Sequence, residues 1–356
     1  MANRRSLVLG RVLLVSGLGL LAAPGGADQS TSGADRLAFV SDRDGGQDLY
    51  VIDVTRATTT RLTTGQRQID SPSWAPDGRR LAFAATDAAA APSIFVVNAD
   101  GSGLRRLAAG RSPAWSPDGT RIAFAAIQGD NEDIVLLGLD TATRRRVTTH
   151  PSRDFSPRWA PDGTRIAFAS ARGESSRLAG REYGSEIYLM GADGSAVTAL
   201  TGHNACGLAH DGEGKLNSLG EAAWTPDGRR LLYRAGSCKF DCRVCVIEVT
   251  AGRVSPLTTE RRATAFSLSP DGRSVAYSSS HGIFVTDLGG GAARALVPDA
   301  WGPAWSRDGK RIAFLVSAGP DVHARPYHIE TIDPAGGPRQ RLTERPGYYR
   351  SLTWSP

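Results

Sequence analysis

Several strings that would announce an activity are missing from this chain. No Gly-x-Ser-x-Gly elbow and no Gly-rich phosphate loop occurs, which removes the local signatures of serine hydrolases and of nucleotide-binding loops. No helical periodicity of useful length follows the first 27 residues, so helical bundles and α/β folds are excluded. The longest apolar run, Val12 to Ala23, is a dozen residues and falls short of the roughly 20 that span a bilayer. No cysteine follows that run, so a lipoprotein anchor has no attachment point there. Neither sign of charge dominates: 42 basic and 36 acidic residues leave +6, and only +3 once Arg4, Arg5 and Arg11 are set aside. So balanced a chain gives no electrostatic reason to expect nucleic acid as a partner.

What the N-terminus does contain is a charged start, a short apolar stretch and the small residues Gly25, Gly26 and Ala27. That order predicts an export signal over residues 1–27, cut between Ala23 and Asp28, and a single domain over residues 28–356 that is exported and does not span the membrane. Arg4-Arg5 could mark the twin-arginine route.

The strongest feature is a repeat. WAPDGRR, WSPDGTR, WAPDGTR and WTPDGRR start at Trp74, Trp115, Trp159 and Trp224. LSPDGRS starts at Leu268, WSRDGKR at Trp305, and the chain ends inside another copy at Trp354. Each unit of about forty residues reads as four short strands rich in Ile, Val, Phe and Thr, punctuated by Asp-Gly turns, which describes a propeller blade. Arg61–Thr64 is expected to be a fourth strand. Second strands centred on Phe39, Phe83, Phe124, Phe168, Tyr233, Tyr277 and Phe314 number seven, as do the Trp positions. Residues 36–40 form a second strand with no Trp strand before it, and the C-terminal Trp strand has no successor. The fold predicted is therefore all-β: a seven-bladed β-propeller of four-stranded antiparallel blades, closed by the C-terminal strand joining the three N-terminal ones. The tryptophans are expected to pack between blades, and the Asp-Gly pairs to be turn chemistry rather than catalytic acids.

The W-S-P-D-G-x-R-I-A-F string resembles the Pro-Asp variant of the WD-type repeat found in TolB-like propellers. Similar repeats occur in prolyl-oligopeptidase propellers, tricorn proteases and oligogalacturonate lyases. The resemblance implies a periplasmic or secreted propeller, here without the N-terminal domain that TolB carries and with seven blades where six are usual for TolB.

Alternation of strand direction sorts the loops onto two faces. Turns from first to second and third to fourth strands share one face and are uniformly short. The insertions Arg172–Ser185, Gly202–Leu219, Gly236–Asp241, Ala318–Arg325 and Glu344–Arg350 share the other, where binding function is expected. Candidate binding residues there are Arg172, Glu182, Tyr183, His203, His210, His281, His323, Arg325, Tyr327, Tyr348, Tyr349 and Arg350. His150 and His328 also map to that face or its margin. Asp42–Asp48 looks faintly like a calcium loop, without its terminal Glu, and is better read as a hairpin turn. Cys206, Cys238, Cys242 and Cys245 are expected to pair as disulfides, Cys206 to the hairpin and a second bridge within it. Cys242 with Cys245 is the least favoured pairing, because residues three apart on a strand face opposite ways. Zinc held by His203, Cys206, His210 and the hairpin cysteines is the alternative.

The function this predicts is a monomeric, non-enzymatic binding or scaffold module of the cell envelope, recognising a protein or envelope polymer. It needs no catalytic residue, metal or cofactor. The alternative is a metal-assisted lyase or hydrolase of acidic oligosaccharides, which requires histidines converging at the channel mouth.

Overall fold

Strands rise from almost every apolar run, and seven sheets of four antiparallel strands result in the computed structural model. It describes residues 35–86, 91–173, 185–202, 206, 222–237, 241–258, 262–319 and 326–356. Blade 1 combines Tyr349–Trp354 with Arg36–Ser41, Asp48–Asp53 and Thr58–Arg61, so the C-terminal strand closes the ring. Blades 2 to 7 follow in order, with inner strands Arg67–Trp74, Arg111–Trp115, Asp154–Trp159, Ala222–Trp224, Ala265–Leu268 and Ala300–Trp305. The seven-bladed, all-β prediction holds, and the described residues contain no α-helix.

Each blade is built on one aromatic residue of its second strand. Phe39, Phe83, Phe124, Phe168, Tyr233, Tyr277 and Phe314 are all fully buried. Four of them face a second ring directly across the strand pair: Phe39 and Tyr50, Phe83 and Phe95, Phe168 and Tyr188, Tyr277 and Phe284, with centroids 5.4 to 5.8 Å apart. Cross-strand aromatic pairs of this kind stabilise a sheet beyond their area burial.

The repeat string holds neighbouring blades together. The indole N–H of Trp74 donates to Thr353 O (3.0 Å), Trp115 to Ser73 O (3.2 Å), Trp159 to Ala114 O (3.2 Å), Trp224 to Arg158 O (3.3 Å) and Trp354 to Ala304 O (2.9 Å). Over each of these five indoles lies the arginine that ends the preceding repeat string, or its counterpart Arg36: Arg36, Arg80, Arg121, Arg165 and Arg311, 4.7 to 5.8 Å from the ring centre. The degraded copy in blade 6 breaks both patterns. Leu268 has no side-chain N–H, Ser274 stands where the arginine should be, and the buried Nε1 of Trp305 meets no acceptor.

The Pro-Asp-Gly turns behave as turn chemistry. Asp77, Asp118, Asp162, Asp227, Asp271 and Asp308 each accept the backbone N–H two residues on, at 2.9 to 3.0 Å. Gly78 and its five equivalents have φ between 63° and 72°, a conformation that suits glycine.

Two local expectations are corrected. The fourth strand of blade 1 is Thr58–Arg61 and ends where Arg61–Thr64 was expected to run. The buried Thr63 turns its hydroxyl inward to take the N–H of Leu49 (3.0 Å) and to bond Asp48 (2.9 Å), which stops the ladder. Gly236–Asp241 is less an insertion than a longer hairpin, because Gly236 pairs with Cys242 and Ser237 with Asp241.

Candidate functional site

Connections on the Pro-Asp-Gly face are short in every described case, whereas the strand ends on the opposite face include two that are far apart in sequence, Ser170 from Glu186 and Ala199 from Ala222. Between the faces, the inner strands enclose a central channel of about 830 Å³. A string Ser-Pro-x-Trp, or Gly-Pro-x-Trp in blade 7, recurs on its wall. Ser71, Ser112, Ser156 and Gly302, together with Ser351, take positive φ (51° to 61°) and bulge the inner strands of blades 2, 3, 4, 7 and 1. The inner strands of blades 5 and 6 pair without a bulge.

Three arginines and one carboxylate, Asp70, are the charged residues on the described channel wall. Arg158 stands where the other inner strands carry Ser73, Ala114, Ala223, Ser267, Ala304 or Thr353. Arg307 replaces the proline of the repeat string. Arg234 replaces a small or aliphatic residue and donates to Thr264 O at 2.7 Å. Sequence reasoning focused on loops and missed all three. Aligning the seven repeats would have found them as basic residues breaking an uncharged column.

On the loop-rich face Arg172 is committed to the scaffold. Its guanidinium bonds Asp154 Oδ2 (2.5 Å) and Ser170 Oγ (2.9 Å), and it lies 5.0 Å from the centre of the Tyr188 ring. Burial raises the Asp154 carboxyl above its ordinary range, against the pull of Ser170 and Arg172. On blade 3 Glu132, also buried, takes Arg153 at 3.0 Å.

The aromatic and basic group near the ring closure is an internal latch. Tyr349 is buried and its hydroxyl donates to Arg345 O. Arg350 donates to Gln47 Oε1 (3.0 Å) and Ile69 O (2.5 Å), and the N–H of Tyr348 donates to Asp42 (3.0 Å). Asp42–Asp48 is the hairpin turn on the other side of this latch. Within it Asp44 takes the Tyr50 hydroxyl (2.8 Å), and burial together with that bond pushes Tyr50 up to about 12. Tyr327, half-buried, packs on Trp301.

The described histidines lie on three different blades. Nδ1 of His150 accepts the Ser152 N–H (3.0 Å), and Nδ1 of the buried His328 donates to Thr343 O (3.0 Å). The exposed His281 contacts Ser280 Oγ at 3.3 Å. Desolvation, then the nearby Arg341, lowers the pKa of His328. Among the described residues no three of His, Cys, Asp and Glu converge as a metal site. Glu182, Tyr183, His203, His210, His323, Arg325 and Cys238 lie outside the described residues.

Cys206 is disulfide-bonded to Cys245, with Cα atoms 6.2 Å apart. Cys245 sits opposite Tyr233, where other blades place the second aromatic ring. The connection 200–221 is thereby tied to blade 5. Cys242 is buried, its thiol against Ala263 O. The predicted link of Cys206 to the hairpin is present, and no described residue supports the zinc alternative for Cys206 and Cys245.

A closed ring of Trp-Ser-Pro-Asp-Gly blades around a polar channel defines a β-propeller of the Pro-Asp repeat class. The TolB beta propeller domain model matches residues 108–286, and the chain belongs to that family. Among solved structures, TolB from Acinetobacter baumannii is 19% identical, with a TM-score of 0.56, covering 90% of this chain and 67% of that one. An oligogalacturonate lyase in complex with manganese is 17% identical (TM-score 0.63; 87% and 86%). A puromycin-hydrolyzing peptidase of Mycobacterium tuberculosis is 16% identical (TM-score 0.61; 87% and 53%). At these identities the likeness extends to the fold alone. No helix among the described residues is long and apolar enough to cross a membrane.

Proposed function

We propose that this propeller is an exported binding or scaffold module of the cell envelope that recognises a protein or envelope polymer through its loop-rich face. The observation that carries this reading is the contrast between the faces: uniform short turns on one, and on the other long connections, one of them pinned by Cys206–Cys245. Rigid scaffolds that vary their loops on one side typically bind there. Membership of the TolB propeller family supports the same reading. The disulfide fits an oxidising compartment, as export by the segment over residues 1–27 would require.

Elemental analysis of the purified mature protein, with turnover assays on acidic oligosaccharides, tests it. Absence of a stoichiometric metal and of turnover is the expected result. A retained divalent metal together with cleavage of oligogalacturonate would replace binding with lyase chemistry.

A further inference from the structure

Every outer blade edge is a strand whose outward backbone groups are open to pairing, and natural sheets guard such edges with charge. Six blades here do so with arginine: Arg61, Arg105 and Arg106, Arg144 to Arg146, Arg253, Arg294, and Arg341 lie on the outer strands of blades 1, 2, 3, 5, 6 and 7. Blade 4 has no such guard. Its outer strand is only Thr198–Ala199, within the uncharged run Ser195-Ala196-Val197-Thr198-Ala199, and all five residues are exposed. Val197 is one of two exposed large hydrophobic residues among the described ones.

Among the described residues no backbone bond is made on the outward side of that edge. Leu200 N–H donates inward to Ile187 O at 2.7 Å. By the alternation of an antiparallel ladder, Ala199, opposite Tyr188, presents its N–H and C=O groups outward, and Val197 immediately precedes the two-residue strand. Beside this edge lies a cavity of about 310 Å³ between blades 3 and 4, lined by Val197, Gly194, Val147, Thr149, His150 and Arg172 among others. The flank is basic: the outer strand of blade 3 is Arg144-Arg145-Arg146, all exposed; Arg146 pairs with the buried Asp133 (2.6 Å), while Arg144 and Arg145 donate only to the carbonyls of Leu107 and Asp193 among the described residues.

We propose that the outer edge of blade 4 is a docking site for an extended acidic segment of a protein partner, which adds to the blade as a fifth strand. Backbone pairing at Ala199 supplies affinity, the cavity takes one apolar side chain of the segment, and Arg144 and Arg145 select its acidic residues. That division between main-chain affinity and side-chain specificity is the usual logic of strand addition. The cavity borders the loop-rich face through Thr149, His150 and Arg172, whereas the pairing edge is the outer strand of blade 4, so the Val197 and Ala199 variants test this site apart from the rest of that face.

Fluorescein-labelled peptides alternating Glu with Val, Lys with Val, and Glu with Pro can be titrated by anisotropy into the disulfide-intact protein. The Glu-Val peptide is expected to bind saturably and the other two not. Val197→Arg, which restores the missing guard, and Ala199→Pro, which removes an outward donor, are each expected to weaken binding at least about tenfold. Leu104→Arg, at the other exposed hydrophobic position, is expected to leave it unchanged. Equal binding to wild type and Val197→Arg, or none below about 1 mM peptide, would overturn the proposal. So would a concentration-dependent dimer that Val197→Arg abolishes while the peptide fails to bind, since the edge would then serve a second copy.

Discussion

The indole N–H of Trp74 donates to the carbonyl of Thr353 at 3.0 Å, joining residues 279 positions apart across the closure of the ring. Arg36 covers the same indole at 5.4 Å and its guanidinium donates to Gly78 O at 2.6 Å. The belt and its arginine lids account for most of the recurring residues, and they make the interfaces of blade 6 the exception.

The belt predicts unequal effects from one conservative change. Trp115→Phe removes a bonded N–H together with the five-membered half of the buried indole, and is expected to cost about 1 kcal/mol more than the same change at Trp305. Trp305→Phe loses the same packing but removes a buried donor that has no acceptor, so its loss is expected to be the smaller. Urea midpoints at constant m-value measure both. Equal losses would show that the N–H bonds contribute nothing.

Restoring the missing lid should stabilise the ring. Ser274→Arg places a guanidinium over Trp305 as Arg121 lies over Trp159 at 4.7 Å, with an expected gain of about 0.5–1 kcal/mol. A thermal scan that shows no gain would mean that the space above Trp305 does not admit the side chain.

Cys206 and Cys245 close a loop of sequence separation 39. Their replacement by serine is expected to destabilise by about 3–4 kcal/mol, chiefly by freeing the unfolded chain. Chemical denaturation under non-reducing conditions provides the comparison.

Acid should act on the turns. The Ser116 hydroxyl and then the Thr120 N–H hold the Asp118 carboxyl down to about 2, and Asp162, Asp227 and Asp271 are also lowered by such bonds. A depressed folded-state pKa gives stability that is present above about 4, the unfolded value, and is lost as pH falls toward 2. Thermal midpoints are expected to fall across that window, and Asp118→Asn is expected to flatten the dependence.

Much of this architecture was legible before any coordinates, because the repeat carries its own register. Trp, Asp-Gly and the second-strand aromatic recur at matched spacings, and the unmatched ends at Arg36 and Trp354 imply the closure. The bulges were not legible, because a positive φ at Ser71 or Ser351 reflects a register shift of the inner strand against its neighbour rather than a residue preference. Tyr349 and Arg350 were expected on a binding surface; packing against the 42–50 hairpin uses them inside the fold instead. Arg158, Arg234 and Arg307 belong to strands and turns, so a search confined to loops passed over them.

Site-specific photo-crosslinking tests binding through the loop-rich face most directly. A benzophenone amino acid can be placed at His281 or Asp130 on that face, and at Asp77 or Arg273 on the Pro-Asp-Gly face, in cells expressing the protein. The account predicts one recurrent envelope adduct from the first pair and none from the second. Adducts only from Asp77 or Arg273 would contradict it.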